Sequence, residues 1–364
     1  MYFLFFVLPF LLMIPLIIYF YFYFKRIIIF ICKEIKYKWI NILLLILSIL
    51  FVLPAFNLFG FWAVVVLHMF VISIIIDIIY YISKKRSHYF NKIYQLGITP
   101  ILCVFIVLGY AYLNMKDVSQ KEYTVYTKKN IHQSYKIALI TDLHFGNTMN
   151  QEELKHYCED ISKQNVDMVL LGGDIVDELS SQNEMKQAFS ELGKIKNKSG
   201  IYYVYGNHDR ANYAQNPPFT YSELAQTIEK NSIKILSDQS VSINDDFILF
   251  GREDRNGVDR KVSSALLNSH INQNAFLLML DHQPVDLKIN DELGYDLQLS
   301  GHTHGGQMFP VGLISDILGF GEMNYGYRKL NHMQVVVSSG IAGWGYPLRT
   351  GSHSEYVIVN IVRK

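Results

Sequence analysis

Side chains that commonly bind metal ions recur directly after short apolar runs in the second half of the chain. They are Asp142, His144, Asp174, Asn207, His208, Asp281, His282, His302 and His304. Because ligands of open α/β sheets bind beyond the carboxyl ends of the strands, these five strand ends would deliver their side chains to one edge. Glycines accompany them, most densely around His302 and His304, and glycine permits the close backbone approach that crowded ligands need. The pattern predicts a metal site.

The donor types narrow the chemistry. Carboxylate, amide and imidazole ligands without thiolate suit Mn, Fe, Zn, Co or Ni. One carboxylate, that of Asp174, could bridge two ions, and two ions about 3.5–4 Å apart clamp a phosphoryl group for in-line displacement. A water held between them would lose its proton and attack phosphorus. His208 is not needed as a ligand and would donate a proton to the leaving group, while Asp209 would orient or charge its imidazole.

Two arginines are candidates for binding the substrate. Arg252 follows a predicted strand, and Arg349 ends a glycine-rich stretch that also contains Trp344. A guanidinium binds phosphate bidentately, and the indole could pack on an apolar group or a sugar. A structural loop carrying a surface arginine explains each stretch equally well.

The elements that must position these residues alternate between strand and helix. Asn150 and Glu153 form a capping-box pattern that begins a helix over 150–164. Cys158 falls on the apolar stripe of this helix, which predicts a core residue and not a reactive thiol. A second helix carries Met185 and Phe189 in phase. Strands are predicted at 136–140, 166–171, 201–205, 247–250, 276–280, 295–299 and 333–337. This order predicts an α/β domain.

The first 115 residues differ in composition from the rest. They contain nine basic and two acidic residues, and each of their apolar runs approaches the roughly 20 residues of a membrane-spanning helix. Asp77 and His68 lie within a span, where no partner in the other spans stands out. The predicted spans are 1–24, 39–56, 61–82 and 93–115.

The charges between the spans predict the orientation. The first and third connectors are basic and the second is uncharged, and basic connectors remain in the cytoplasm. Residues 116–364 would therefore lie outside the cytoplasm, as a link over 116–130 and a domain over 131–364. A cytoplasmic domain is the alternative, because lysines also follow the last span. The acidic second half lacks a basic stripe, so no nucleic-acid partner is expected.

The motifs together resemble the calcineurin-like metallophosphoesterases, in particular their membrane-anchored bacterial branch. The resemblance covers roughly residues 120–364, about two thirds of the chain. It is carried by Asp142-Leu143-His144, Gly173-Asp174-Ile175-Val176-Asp177, Gly206-Asn207-His208-Asp209, His282 and Gly301-His302-Thr303-His304.

The resemblance implies a four-layer α/β/β/α sandwich with two divalent metal ions and a catalytic His208. Asp177 stands where the related purple acid phosphatases carry a metal-binding tyrosine, so a tyrosinate–ferric site is not expected. Glu178 stands where many relatives carry arginine. One ion would be held by Asp142, His144, Asp174 and His304, and the other by Asp174, Asn207, His282 and His302.

The expected function is a membrane-anchored phosphoesterase with two Mn, Fe or Zn ions that cleaves a phosphodiester in preference to a monoester. The tether to the bilayer suggests a lipid or an envelope precursor as substrate. One alternative is hydrolysis of soluble, nucleotide-like phosphoesters. Another is a catalytically silent metal-binding scaffold or sensor, against which the presence of every expected ligand argues. The sequence leaves the oligomeric state open.

Overall fold

The computed structural model describes residues 2–57, 60–83, 87–210, 213–257, 259–267, 272 and 274–364, with side chains in the first helix at Leu11 and from Met13 onward. The chain divides into two compact units, 1–110 and 111–364. Each unit has its own apolar core.

The described residues of the first unit form five α-helices, the last of them reaching into the second unit, and the short 3₁₀ helix Leu53–Phe56. The α-helices are α1 Tyr2–Cys32, α2 Lys38–Val52, α3 Phe61–Ile82, α4 His88–Leu96 and α5 Ile98–Lys116. Among the described residues, four segments are long and apolar enough to cross a membrane, as expected of a membrane protein. These segments are Met13–Cys32, Lys38–Phe56, Phe61–Ile82 and Ile98–Lys116.

Two of the predicted spans have the wrong bounds. The first helix does not end at residue 24 but continues to Cys32. The predicted span 93–115 is interrupted at Gly97, whose φ of 64° places it in the left-handed region that commonly ends a helix.

Asp77 has partners in the first helix that do not stand out in the sequence. Arg26, predicted to lie in the first connector, is part of α1, and its Nη1 lies 2.8 Å from Asp77 Oδ1. The hydroxyl of Tyr19 donates to Asp77 Oδ2 at 2.7 Å. A charged residue within a span is tolerated when it is paired in this way.

The described residues of the second unit contain two six-stranded sheets, in the orders β1-β12-β2-β3-β4-β5 and β10-β11-β9-β8-β7-β6. The strands are β1 Val118–Thr127, β2 Tyr135–Ile140, β3 Met168–Leu171, β4 Ile201–Tyr203, β5 Ile233–Ile235, β6 Gln239–Asn244, β7 Phe247–Gly251, β8 Phe276–Leu280, β9 Leu297–Ser300, β10 Gly326–Lys329, β11 Gln334–Val337 and β12 Ser354–Arg363. The helices are α6 Gln151–Lys163, α7 Gln182–Leu192, α8 Tyr221–Lys230, α9 Ser263–Leu266, α10 Leu287–Leu293 and α11 Val311–Leu318.

The two sheets face each other and carry helices on their outer faces. Successive residues of a strand point to opposite faces, so Leu170 of β3 packs between the sheets whereas Val169 packs against α6 and α7. In the second sheet Leu278 of β8 faces the first sheet, and Met279 packs on the outer side with Leu287 of α10. The four-layer α/β/β/α sandwich is thereby confirmed.

The predicted link over 116–130 is wrong for most of its length. Val118–Thr127 forms the edge strand β1, which pairs in parallel with β12. Most of its side chains are at least partly exposed, so the segment shows no apolar run from which a strand could be predicted. The compact unit also begins at Ala111, inside the last apolar helix, and not at residue 131.

Candidate metal centre

The candidate ligands follow parallel strands that end at one edge of the sandwich. Strands β2, β3 and β4 are parallel neighbours, as are β8 and β9 in the other sheet. Five of the ligands adopt positive φ angles of 41–72°. Non-glycine residues in this region store strain, which clusters at functional sites. They are Asp142, His144, Asp174, His302 and His304.

The structure groups these side chains into two sets. Asp142, His144 and His304 offer ligand atoms within 4.8 Å of one another, and all three residues are buried. The atoms of Asp174, His282 and His302 lie within the same limit.

Asp174 contacts both sets. Its Oδ2 lies 3.1 Å from His282 Nε2 and 3.8 Å from His144 Nε2. Asn207 joins the second set, since its Oδ1 lies 3.2 Å from His282 Nε2. The backbone approaches closely here, because a Cβ at Gly206 would overlap Asp174 Oδ1.

The ring nitrogens of the histidines that carry a proton show whether a cation fits between the two ligand sets. His282 Nδ1 lies 2.8 Å from the carbonyl oxygen of Gly172, which can only accept, so Nδ1 carries a proton. In a neutral His282, Nε2 then carries no proton, and its lone pair faces two other acceptors, the carboxylate of Asp174 and Oδ1 of Asn207. His144 is similar, with Nδ1 3.2 Å from Asp177 Oδ2. Acceptors that converge in this way fit a cation, and metal-bound histidines usually donate their second nitrogen to a carbonyl or carboxylate.

The electrostatics agree with a positive charge at this point. Burial disfavours charged His282, yet the carboxylates of Asp174 and Asp142 raise its pKa well above the usual value. Burial raises the pKa of Asp142. Burial and the neighbouring His282 lower the pKa of His302 to about 4. Burial and the neighbouring His144 lower the pKa of His304 well below its usual value. His302 and His304 are therefore neutral at pH 7, as metal coordination requires.

His208 lies beside the two sets. Its backbone N–H donates to Asp174 Oδ1 at 2.8 Å, and its Nδ1 lies 2.9 Å from a carboxylate oxygen of Glu178. The rings of Tyr213 and Trp344 flank its imidazole at centroid distances of 5.1 and 5.4 Å. Burial opposes protonation, but the hydrogen bond to Glu178 and the nearby carboxylates raise the pKa of His208.

Asp209 does not have the contacts predicted for it. Its buried carboxylate accepts backbone N–H groups of Asp174, Ile175, Val176 and Gly206 at 2.6–3.2 Å. These bonds tie together the loop that carries Asp174 and the loop that carries Asn207. The carboxylate beside the ring of His208 is that of Glu178.

The two predicted substrate arginines are also engaged inside the protein. Arg252 is 2% exposed and pairs with Asp286 at 2.8 Å and Asp281 at 3.4 Å. Arg349 is fully buried and donates to a set of acceptors in the loops around His304. These acceptors are the carbonyls of His304, Ser339, Ala342 and His353 and the hydroxyl of Ser352. Neither guanidinium has the exposure that a phosphate contact needs.

Sequence reasoning missed three residues near the site. Glu178 was noted only as a departure from the family pattern, and Asp177 only as the replacement of a tyrosine. Both contact a histidine of the site. Arg255 is exposed and lines a cavity of about 270 Å³ that also includes His302. Its place in the loop that follows β7 is the signal that could have identified it.

A two-sheet sandwich whose strand ends gather these ligands defines a class of protein, the metal-dependent phosphoesterases. The model of the calcineurin-like phosphoesterase family matches residues 135–306. A metallophosphoesterase of Campylobacter jejuni is 30% identical over 297 residues, which cover 79% of this chain and 76% of that protein. A transmembrane protein with metallophosphoesterase domain from Danio rerio is 25% identical over 331 residues, covering 86% of this chain and 73% of that protein.

Among solved structures, a dimetal phosphatase from Danio rerio is similar with a TM-score of 0.37 and 11% identity, over 56% of this chain and 86% of that chain. The extent of the match to the Campylobacter jejuni protein decides the assignment. The chain belongs to the calcineurin-like phosphoesterase family, and it is a metal-dependent phosphoesterase with apolar helices suited to a membrane.

Proposed function

We propose that this protein binds two divalent metal ions and hydrolyses a phosphodiester presented at the membrane. The observation that carries the proposal is the position of Asp174, whose Oδ2 faces both ligand sets at 3.1 and 3.8 Å. A carboxylate between two groups of imidazoles suits a bridging ligand. Asp142, His144 and His304 complete one ion's ligands, and Asn207, His282 and His302 complete the other's.

Residues other than the metal ligands also contribute to the reaction. Two bound ions would supply Lewis-acid stabilisation of the phosphoryl oxygens and lower the pKa of water. His208, protonated and held by Glu178, donates its proton to the leaving oxygen. In the balanced reaction the oxygen of water joins phosphorus, the bond to one alcohol breaks, and that alcohol leaves with a proton.

The engaged arginines support a diester as the substrate. A phosphomonoester dianion carries more charge than a diester monoanion and gains more from guanidinium contacts. Arg252 and Arg349 both bond within the protein. A diester monoanion depends less than a monoester dianion on guanidinium contacts.

The basic connectors support a multi-pass arrangement with the catalytic unit outside the cytoplasm. Lys33 and Lys36 lie between α1 and α2, and Lys92 lies between α3 and α5. The other basic residues of that connector, 84–86, lie outside the described residues. A membrane-impermeant maleimide would test the orientation at Lys163→Cys, an exposed position at the end of α6. Labelling of intact cells supports the proposal, and labelling only after permeabilisation contradicts it.

The activity test uses the full chain in lipid nanodiscs, stripped of metal and reloaded with Mn²⁺. Turnover of bis(p-nitrophenyl) phosphate is compared with that of the monoester in wild type, Asp174→Ala, His208→Ala and the control His156→Ala, an exposed histidine of α6. We expect diester turnover with two bound ions, fewer ions in Asp174→Ala, and full metal with about 100-fold slower turnover in His208→Ala. Metal binding without turnover of either compound would favour a silent scaffold, and the monoester turning over faster would contradict the diester preference.

A further inference from the structure

One surface of the catalytic unit is apolar and exposed over a continuous stretch of chain, which we call the apolar ridge. It consists of α11 and its flanks, residues 309–320, with Asp316 as its one charged residue. Its large apolar side chains are between 44% and 74% exposed. They are Phe309, Val311, Leu313, Ile314, Ile317, Leu318 and Phe320.

The remaining surface of this unit differs from the ridge. Its other exposed large apolar residues in the described part of the chain, such as Tyr126, Val262 and Ile289, are scattered over separate elements. Single exposed apolar residues are normal on a soluble surface, whereas a contiguous apolar patch marks an interaction with protein or membrane. The ridge is therefore a candidate interaction surface.

The chain itself indicates which occupant. The last apolar helix ends inside the catalytic unit, where Asn114 Nδ2 donates to the carbonyls of Arg349 at 2.9 Å and Ser352 at 2.8 Å. The start of the ridge is bonded to the same loop, because Phe309 N donates to Thr350 Oγ1 at 2.9 Å. Asn114, near the end of the last apolar helix, and Phe309, at the start of the ridge, are thus bonded to one loop.

The ridge also borders the candidate metal centre. The cavity of about 270 Å³ beside His302 is lined on its other side by Val311, Ser315 and Phe320, with the exposed Arg255 at its margin. Its volume is near the lower end of about 300–1,000 Å³ that is usual for ligand sites. An apolar group on the ridge and a phosphate at His302 would share one continuous site.

We propose that the apolar ridge inserts into the surface of the bilayer that holds the spans and presents the cavity beside His302 to phosphodiester lipids. Helices that present an exposed apolar face lie in this way at the boundary of headgroups and acyl chains. The proposal of bilayer docking depends only on the ridge and the loop bonded to it. The proposal of a lipid substrate depends in addition on the proposed function.

Insertion is measured on the metal-loaded full chain in phosphatidylglycerol nanodiscs. Cys32 and Cys103 are replaced by serine, and a fluorophore is attached at Ile317→Cys or, as the matched control, at Ile289→Cys on α10. Nitroxide-labelled lipids are expected to quench the label at 317 and not at 289. If the label at 317 is shielded from an aqueous quencher but is not quenched by the labelled lipids, the ridge contacts a protein partner or a second copy, and the proposal is overturned. A label at 317 that is accessible to the aqueous quencher also overturns it.

The substrate arm compares Leu313→Ser/Ile317→Ser with Ile289→Ser. Neither ridge residue lines the cavity. We expect the ridge variant to keep its turnover of bis(p-nitrophenyl) phosphate and to cleave phosphatidylglycerol about tenfold more slowly, the effect of losing about 1.4 kcal/mol of insertion. Unchanged lipid turnover overturns the proposal. Absence of diester turnover in the wild type would refute the proposed function, while quenching at 317 would still establish the docking.

Discussion

Arg349 offers the sharpest test of how this site is built, because sequence and structure assign it different roles. The sequence suggests a phosphate-binding side chain, whereas the structure buries it completely and bonds it to loop carbonyls. Replacement by methionine keeps much of the apolar stem and removes every donor. If the guanidinium fastens the loops, Arg349→Met lowers stability and metal affinity. If it binds phosphate, the substitution raises KM and leaves stability unchanged.

The magnitude follows from the acceptors that lose their partner. The carbonyls of His304 and His353 keep the hydroxyls of Ser352 and Ser339 as donors. The carbonyls of Ser339 and Ala342 lose the hydrogen bonds that the Arg349 guanidinium donates to them at 2.8 and 2.6 Å. A buried acceptor left unpaired costs about 1–3 kcal/mol, or about 2–6 kcal/mol for two.

Burial offsets part of this loss. It lowers the pKa of Arg349 to about 10, which still leaves the side chain charged at pH 7. Removing that charge recovers some of its desolvation cost, so we expect about 2–4 kcal/mol. For a unit of this size that lowers Tm by the order of 10 °C.

The assay combines thermal unfolding, followed by near-UV circular dichroism, with diester kinetics on the full chain. Arg255→Met is the matched control, because this arginine is exposed beside His302. We expect Arg349→Met to unfold earlier and to need more Mn²⁺ for full activity, and Arg255→Met to raise KM at unchanged Tm. An unchanged Tm with a tenfold higher KM in Arg349→Met would refute the reasoning.

Four further predictions follow from single contacts. Asp177→Asn weakens the orientation of His144 and lowers metal affinity about 10–100-fold, measured by Mn²⁺ titration. Gly206→Ala places a Cβ against Asp174 Oδ1, so metal content measured by elemental analysis falls. Burial raises the pKa of Cys158 to about 12, so iodoacetamide at pH 8 labels it only after unfolding; labelling of the native protein would contradict this. Burial raises the pKa of Asp246, but hydrogen bonds from His132 and Tyr135 outweigh it and lower that pKa below its usual value. Asp246→Asn is therefore expected to reduce the free energy of unfolding at pH 7, measured by urea unfolding. The difference from wild type disappears as the pH falls through the pKa of Asp246 in the native state.

Local patterns were enough to predict where the candidate ligands lie. Apolar runs that end in aspartate or histidine mark strand ends, and the Asn150–Glu153 capping box that begins α6 is confirmed. These signals depend on neighbours in sequence. Cys158 is likewise confirmed as a buried residue of the core.

Roles that depend on tertiary contacts were not predictable in this way. Nothing in the sequence around Asp209 distinguishes a carboxylate that bonds four backbone amides from one that orients a histidine. The same holds for Arg252 and Arg349, whose burial is set by distant loops. Strand β1 escaped prediction because its partner β12 lies more than 200 residues away and its own residues are mostly polar.

The loop around Arg349 connects features that would otherwise be separate. Its guanidinium bonds the carbonyl of His304, a candidate metal ligand, and its backbone N–H donates to Ala111 O at 3.0 Å, in the last turns of the final apolar helix. Residues 111–116 are therefore part of the catalytic fold and not only a tether. A soluble fragment that starts at 116 loses the bonds from Asn114 as well as Ala111, and it should bind Mn²⁺ more weakly than one that starts at 111. Equal affinity in the two fragments would show that the metal centre is independent of the membrane anchor.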